Sequence, residues 1–81
     1  MKLTEKQEEY LRRLLKGDYG IPLETPDASM WRWNSDHTRM NSSVVHSLWD
    51  KKLIEQTYTA DARMLITPFG TQIIKEYLNG R

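Results

Sequence analysis

Residues 41–56 read NSSVVHSLWDKKLIEQ, and two periodicities meet inside them. Val44, Val45, Leu48 and Trp49 recur at i, i+1, i+4 and i+5, which places them on one apolar stripe of an α-helix. Asn41, Ser42, Ser43, His46, Ser47 and Asp50 fall on the other side, and Asn41 or Ser42 suits the N-cap because either side chain accepts from the first free backbone N–H groups. From Leu53 the helical spacing stops and a shorter, strand-like run begins. The stretch therefore predicts a helix over 41–52 that turns directly into a strand. One side of that helix is apolar and the other carries small hydrogen-bonding groups.

Downstream, residues 53–59 are rich in β-branched and aromatic side chains, Ala60-Asp61-Ala62-Arg63 interrupts them, and Met64-Leu65-Ile66-Thr67 resumes the pattern. This predicts a β-hairpin with a short polar tip. Thr67-Pro68 opens a last helix, with Thr67 as cap and Pro68 in the first turn; Phe69, Ile73, Ile74, Tyr77 and Leu78 supply its apolar stripe and Asn79-Gly80 ends it.

Upstream, Thr4-Glu5-Lys6-Gln7 has the capping-box pattern, and Tyr10, Leu11, Leu14 and Leu15 give a first helix its apolar stripe up to the stop at Gly17. Leu3 packs ahead of the cap, on the stem of Glu8 or on the core. Glu8 and Glu9 precede Arg12 and Arg13 by four residues, the favourable order for surface pairs. Between 17 and 28, Gly17, Gly20, Pro22 and Pro26 forbid a long element, while Ile21 and Leu23 suit a loop anchor or a short strand. Thr25-Pro26-Asp27 has the form of a helix start, yet Met30-Trp31-Arg32-Trp33 alternates as an extended segment does, so strand is preferred to helix over 29–33. Asn34-Ser35-Asp36 is a turn cluster, and residues 36–41 suit one loose helical turn leading into the main helix.

The 81 residues fit one small domain, 1–81. A hydrophobic share of 38% is too high for a disordered chain, and no apolar run approaches a membrane span. MKLTEKQEEY has no signal-peptide core, and the absence of cysteine excludes disulfides and thiolate zinc sites, so a cytoplasmic location is expected. The net charge of +1 conceals a division. Residues 17–29 hold Asp18, Glu24 and Asp27 and no base, whereas residues 30–52 hold Arg32, Arg39, Lys51 and Lys52 against Asp36 and Asp50. No Ser-His-Asp set, carboxylate pair, metal-ligand spacing or Gly-rich phosphate loop stands out, and the reading assigns no enzyme activity, metal or cofactor.

The order of elements, helix, extended segment, helix, hairpin, helix, is that of a small winged-helix domain: an α+β fold with three main helices, a β-hairpin wing and a short extra strand near 29–33. VVHSLWDKKLIEQ followed by ADARMLITPFGTQII resembles the MarR-type winged helix. The matching residues are Val45, Leu48, Leu53 and Ile54 of the recognition helix, Asp61 and Arg63 of the wing, and Ile66, Thr67 and Gly70 after it. Three features depart from that family. Lys52 stands where it usually has glycine, which predicts a looser helix end. Residues 17–40 show no second helix of that type, and the dimerising flanks are missing.

The resemblance implies a bacterial or phage transcriptional regulator that reads duplex DNA with helix 41–52 and wing 57–66. In that geometry the N-terminal residues of the recognition helix reach base edges. Asn41 pairs with adenine, and Ser42, Ser43, His46 and Ser47 reach bases or phosphates. The opposing reading of the same residues is a cap and a solvated helix face. Arg63, beside Asp61 at the wing, enters the minor groove or else forms a hairpin-tip ion pair. Arg39, Lys51, Arg32 and Lys52 are candidate phosphate contacts, although the two lysines equally suit a helix C-terminus. Useful specificity from so small a module calls for a homodimer, with the last helix as interface.

Trp31, Trp33 and Trp49 are either a platform for bases or core, and at least two of the three are expected to be buried. Trp31, Trp33 and Tyr77 are candidates for a protein interface if exposed. The alternative function is therefore a winged-helix protein-interaction module that binds no DNA.

Overall fold

Asn41 starts the second helix by accepting from Ser43 N–H at 2.9 Å and Val44 N–H at 3.4 Å. The computed structural model describes residues 2–22, 30–57 and 62–80. Within them the elements run α1 (Glu5–Leu15), β1 (Gly20–Pro22), β2 (Trp31–Trp33), α2 (Ser42–Asp50), β3 (Ile54–Gln56), β4 (Met64–Ile66) and α3 (Pro68–Asn79). The helix start read at Thr25-Pro26-Asp27, the anchor at Leu23 and the wing tip with Asp61 lie outside the described residues.

Local chemistry sets each helix end. Thr4 Oγ1 accepts from Gln7 N–H while Gln7 Oε1 accepts from Thr4 N–H, so the capping box is closed on both sides. Gly17, at φ +103°, ends α1. Thr67 Oγ1 caps α3 through Gly70 N–H at 2.9 Å and donates its own hydrogen to the Lys52 carbonyl at 2.8 Å. Lys52 does not loosen the end of α2. It takes the left-handed conformation itself, φ +60°, and both bonds of a closed C-terminal cap form: Lys52 N–H to Trp49 O at 2.9 Å and Leu53 N–H to Leu48 O at 3.0 Å.

Because a side chain in that conformation costs about 1–2 kcal/mol, Lys52→Gly is expected to stabilise the fold by about 0.5–1 kcal/mol net of glycine's greater unfolded-state freedom. Lys52→Ala should be the least stable of the three, since it keeps the Cβ and loses the charge that suits a helix C-terminus. Urea denaturation orders them.

The sheet is antiparallel, in the order β2-β1-β4-β3. Gly20 lies opposite Trp33 and Pro22 opposite Trp31, so the extended reading of the Trp-Arg-Trp segment holds. The wing stem pairs Ile54 with Ile66, Glu55 with Leu65 and Gln56 with Met64. The helical turn expected over 36–41 does not form. Asp36 Oδ1 accepts from both the N–H and the hydroxyl of Thr38, His37 takes φ +61°, and the chain doubles back. Residues 38–40 then run beside β2, with Trp33 N–H to Thr38 O, Met40 N–H to Trp31 O and an Arg32–Arg39 bridge. Residues 30–40 are thus antiparallel chain directly ahead of α2.

The core gathers Leu11, Leu48, Leu53, Met64 and Ile74, all almost wholly buried, with Leu3, Tyr10, Leu14, Trp31, Trp33, Met40, Val45 and Ile54 around them. α1 touches α2, α3 and β4, and so sits at the centre. Trp49 and Phe69, both read as members of inward stripes, are 40% and 43% exposed. The result is an α+β domain of three helices and a four-stranded antiparallel sheet, an arrangement compatible with a small winged helix. Among the described residues no helix is long and apolar enough to cross a membrane.

Candidate nucleic-acid interface

The side of α2 away from the core presents Ser42, Ser43, His46 and Asp50, all exposed. The side chains of Ser42, Ser43 and His46 make no hydrogen bond to any described residue, whereas the two ends of the expected contact set are already engaged. Asn41 Oδ1 serves the cap, which leaves its amide NH₂ for a ligand and works against two-point pairing with adenine. The backbone N–H of Asn41 donates to Tyr10 Oη at 2.9 Å, tying the start of α2 to α1.

Ser47 is turned inward rather than outward. Its Oγ accepts from Gln7 Nε2 at 3.0 Å and donates to the Val44 carbonyl at 2.7 Å. Gln7 is itself buried, so this bond satisfies a polar group at the α1–α2 contact, and Ser47 leaves the candidate DNA face.

Cations flank α2. Arg39 is exposed two residues before the cap, and its Nη2 lies 2.9 Å from Met30 Sδ. Lys51 is half-buried and Lys52 exposed at the other end. A shallow groove lined by Met30, Arg39, Met40, Asn41, Ser42 and Ser43 runs past the N-terminus.

Arg63 belongs to the wing stem, not its tip. Thr57 N–H donates to its carbonyl at 2.9 Å, its own N–H donates to Thr57 Oγ1 at 3.1 Å, and its guanidinium lies 4.5 Å over the Tyr19 ring. The expected pairing with Asp61 lies outside the described residues. Trp31 and Trp33 are buried and offer no surface to a partner; Tyr77 is half-buried against the core, and Trp49 is the exposed tryptophan.

One cluster escaped the sequence reading. Arg13 does not pair with Glu9, which bonds Lys6 instead at 3.2 Å, whereas Arg12 does meet Glu8, at 3.8 Å. Arg13 reaches Asp18 and Asp36, each at 3.2 Å, and Ser35 Oγ at 2.8 Å, with its guanidinium 4.2 Å over Trp33. No local spacing announces it, because the partners come from a loop and a turn that only the folded sheet brings together.

The Thr38 hydroxyl and N–H, with Arg13 adding to them, hold the Asp36 carboxyl at about 2, below its ordinary 3.8. Burial pushes Asp18 up, but the Ser35 hydroxyl, Tyr19 N–H, Arg13 and Ser35 N–H outweigh it, and the net shift is downward. A depressed carboxyl stabilises the fold above its ordinary pKa and loses that contribution as pH falls through the folded value. Melting temperature should therefore drop between pH 4 and pH 2, and Asp36→Asn should flatten that drop, leaving the part due to Asp18. Thermal melts followed by circular dichroism test this.

No family model, curated protein or solved structure matches this chain, so the functional reading rests on the fold and on where it sets these side chains.

Proposed function

We propose that this chain is a small winged-helix DNA-binding protein, a transcriptional regulator of the bacterial or phage kind, that lays α2 in the major groove of duplex DNA. The observation that supports it most directly is the unengaged polar face of α2, Ser42, Ser43 and His46, with Arg39 before it and Lys51 and Lys52 after it. Arg39 stands on the extended chain just ahead of α2 and Lys51 directly after it, so cations bracket both ends of the helix, where phosphates of the duplex backbone would lie. The MarR-like pattern of recognition helix, wing and following helix agrees with the reading, and Arg63 in the wing stem adds a further cation.

Fluorescence anisotropy on duplex DNA between 50 and 200 mM salt is the test. Wild type should bind with a clear salt dependence. Ser43→Glu should weaken binding at least about ten-fold by placing a charge against the groove's phosphates. An acid in the first turn suits the helix dipole, so the variant should fold as well as wild type. Lack of binding by wild type near 50 mM salt would remove the proposal.

The second reading, a protein-interaction module, draws on the exposed Trp49 and Phe69. It would gain if Trp49→Ala abolished self-association in sedimentation and wild type bound no duplex DNA.

A further inference from the structure

The face of the sheet away from the core carries an arrangement that neither α2 nor folding explains. Side chains opposite one another in a ladder share a face, and successive residues alternate. Gly20, Trp31, Trp33, Met40 and Met64 face the core. Arg39 and Arg32 are bridged directly to each other, Arg32 is paired with Ile21, and continuing the Gly20–Met64 register sets Ile21 opposite Arg63. Three arginines thus stand in one row across the outer face, interrupted by a single isoleucine.

Like charges directly opposite each other in a sheet are destabilising. No ion pair in the described residues relieves these; the carboxylates of Asp18 and Asp36, which approach the same end of the sheet, are taken up by Arg13. Glu55, opposite Leu65, is the described carboxylate on this face, and it makes no ion pair with Arg63. The Nε of Arg32 is buried with no hydrogen-bond partner among the described residues. A row of like charges with no carboxylate among the described residues to neutralise it suits a polyanion supplied from outside.

We infer that the outer face of the sheet binds the phosphate backbone of the duplex, with Arg39, Arg32 and Arg63 as phosphate ligands and Tyr19 as the residue that positions Arg63. The inference rests on the DNA-binding reading and extends its footprint beyond α2, the two surfaces meeting at Arg39. At about 4.8 Å between neighbouring strands, the row spans roughly 14 Å. Tyr19 lies diagonally across the ladder from Arg63, and the Arg63 guanidinium carbon sits over its ring, 4.5 Å from the centroid. A cation–π contact of this kind uses no N–H donor, so the guanidinium keeps its donors for a phosphate oxygen. Such contacts carry no sequence information, so Arg63 acts as a backbone ligand and not as a minor-groove reader.

The experiment compares wild type with Arg39→Gln, Arg63→Gln and the double variant on two duplexes of unrelated sequence, across a salt series. Each single substitution should lower the slope of log affinity against log salt by about 0.9, and the double by about twice that, equally on both duplexes. Tyr19→Leu should weaken binding about three-fold with the slope unchanged, and Tyr19→Phe, which keeps the ring, should bind as wild type does.

A readout without DNA accompanies these: Arg39→Gln should melt no lower than wild type, and higher in low salt, because it removes repulsion from Arg32. If wild type binds no duplex, this inference falls together with the reading it rests on. If wild type binds and Ser43→Glu abolishes binding while the arginine variants keep the full slope, the sheet face is not part of the footprint and the inference alone is overturned. A loss at Arg63 confined to the duplex richer in A·T would also overturn it, in favour of minor-groove reading.

Discussion

Gly70→Ala is expected to cost about 3 kcal/mol or more, at the upper end of what overpacking does. In an ordinary helix the same change would gain about 1 kcal/mol, so the sign is the test. Gly70 is the third residue of α3, and its Cα rests on the joint between α2 and β3. A Cβ there would collide with the Leu53 carbonyl oxygen, and it would stand 3.0 Å from the Leu53 carbonyl carbon and 2.9 Å from Ile66 Cγ1.

The obstacle is backbone, and it is held from several directions. Leu53 N–H is bonded to Leu48 O, Thr67 N–H to Leu53 O, and Thr67 Oγ1 to Lys52 O. Relief means lifting α3 off the joint and breaking those bonds. A domain of this size has about 4–12 kcal/mol of stability in all, so a substantial unfolded fraction should appear at 37 °C. Gly80→Ala is the matched control, because its Cβ would meet nothing nearer than Glu76 O at 3.4 Å. Urea denaturation of both variants decides the matter; equal midpoints would mean that α3 is not seated on the α2–β3 turn in this way.

What the sequence discloses about this molecule follows the range of the interactions involved. The capping box of α1 closes over three residues, and the Thr67-Pro68 start of α3 is equally local, so both are readable from spacing. The alternation of Trp31 and Trp33 is readable because one side of a strand repeats every second residue. Residues 36–41 are not, since their course is decided by an Asp36–Thr38 turn acting together with pairing to β2. The stripe of α2 names four apolar residues, but its contacts with α1 and β3 bury only Val45 and Leu48 fully, and Trp49 falls outside them.

For the candidate site, the sequence identifies the helix better than its individual contacts. Ser47 looks outward on a helical wheel, yet its partner Gln7 is 40 residues away and turns it inward. Arg63 was legible as a wing cation, but Tyr19, which holds it, is brought near only by the pairing of β1 with β4. The arginine row is hidden for the same reason: Arg32, Arg39 and Arg63 share no spacing in the chain and become neighbours only through the ladder.

Trp33→Ala should abolish cooperative folding, or cost about 3–5 kcal/mol if the chain survives it. Trp33 is 2% exposed and is the element of the core on which two other contacts depend. The Tyr10 ring meets it edge to face at 5.2 Å, and on its other contact the Arg13 guanidinium lies 4.2 Å from the ring centroid. Tyr10 in turn accepts from the backbone N–H that begins α2, and Arg13 gathers Asp18, Ser35 and Asp36. Removing the indole therefore leaves a cavity and also frees the residues that orient α2 and close the 34–38 turn. Trp33→Phe keeps an aromatic ring for Tyr10 and should cost roughly 1–3 kcal/mol. Trp49→Ala, at a position 40% exposed, should change stability by less than about 1 kcal/mol. Chemical denaturation of the three variants separates core from platform. If Trp33→Ala stayed within about 1 kcal/mol of wild type while losing nucleic-acid binding, Trp33 would be part of an exposed aromatic surface and the packing described for it would be wrong.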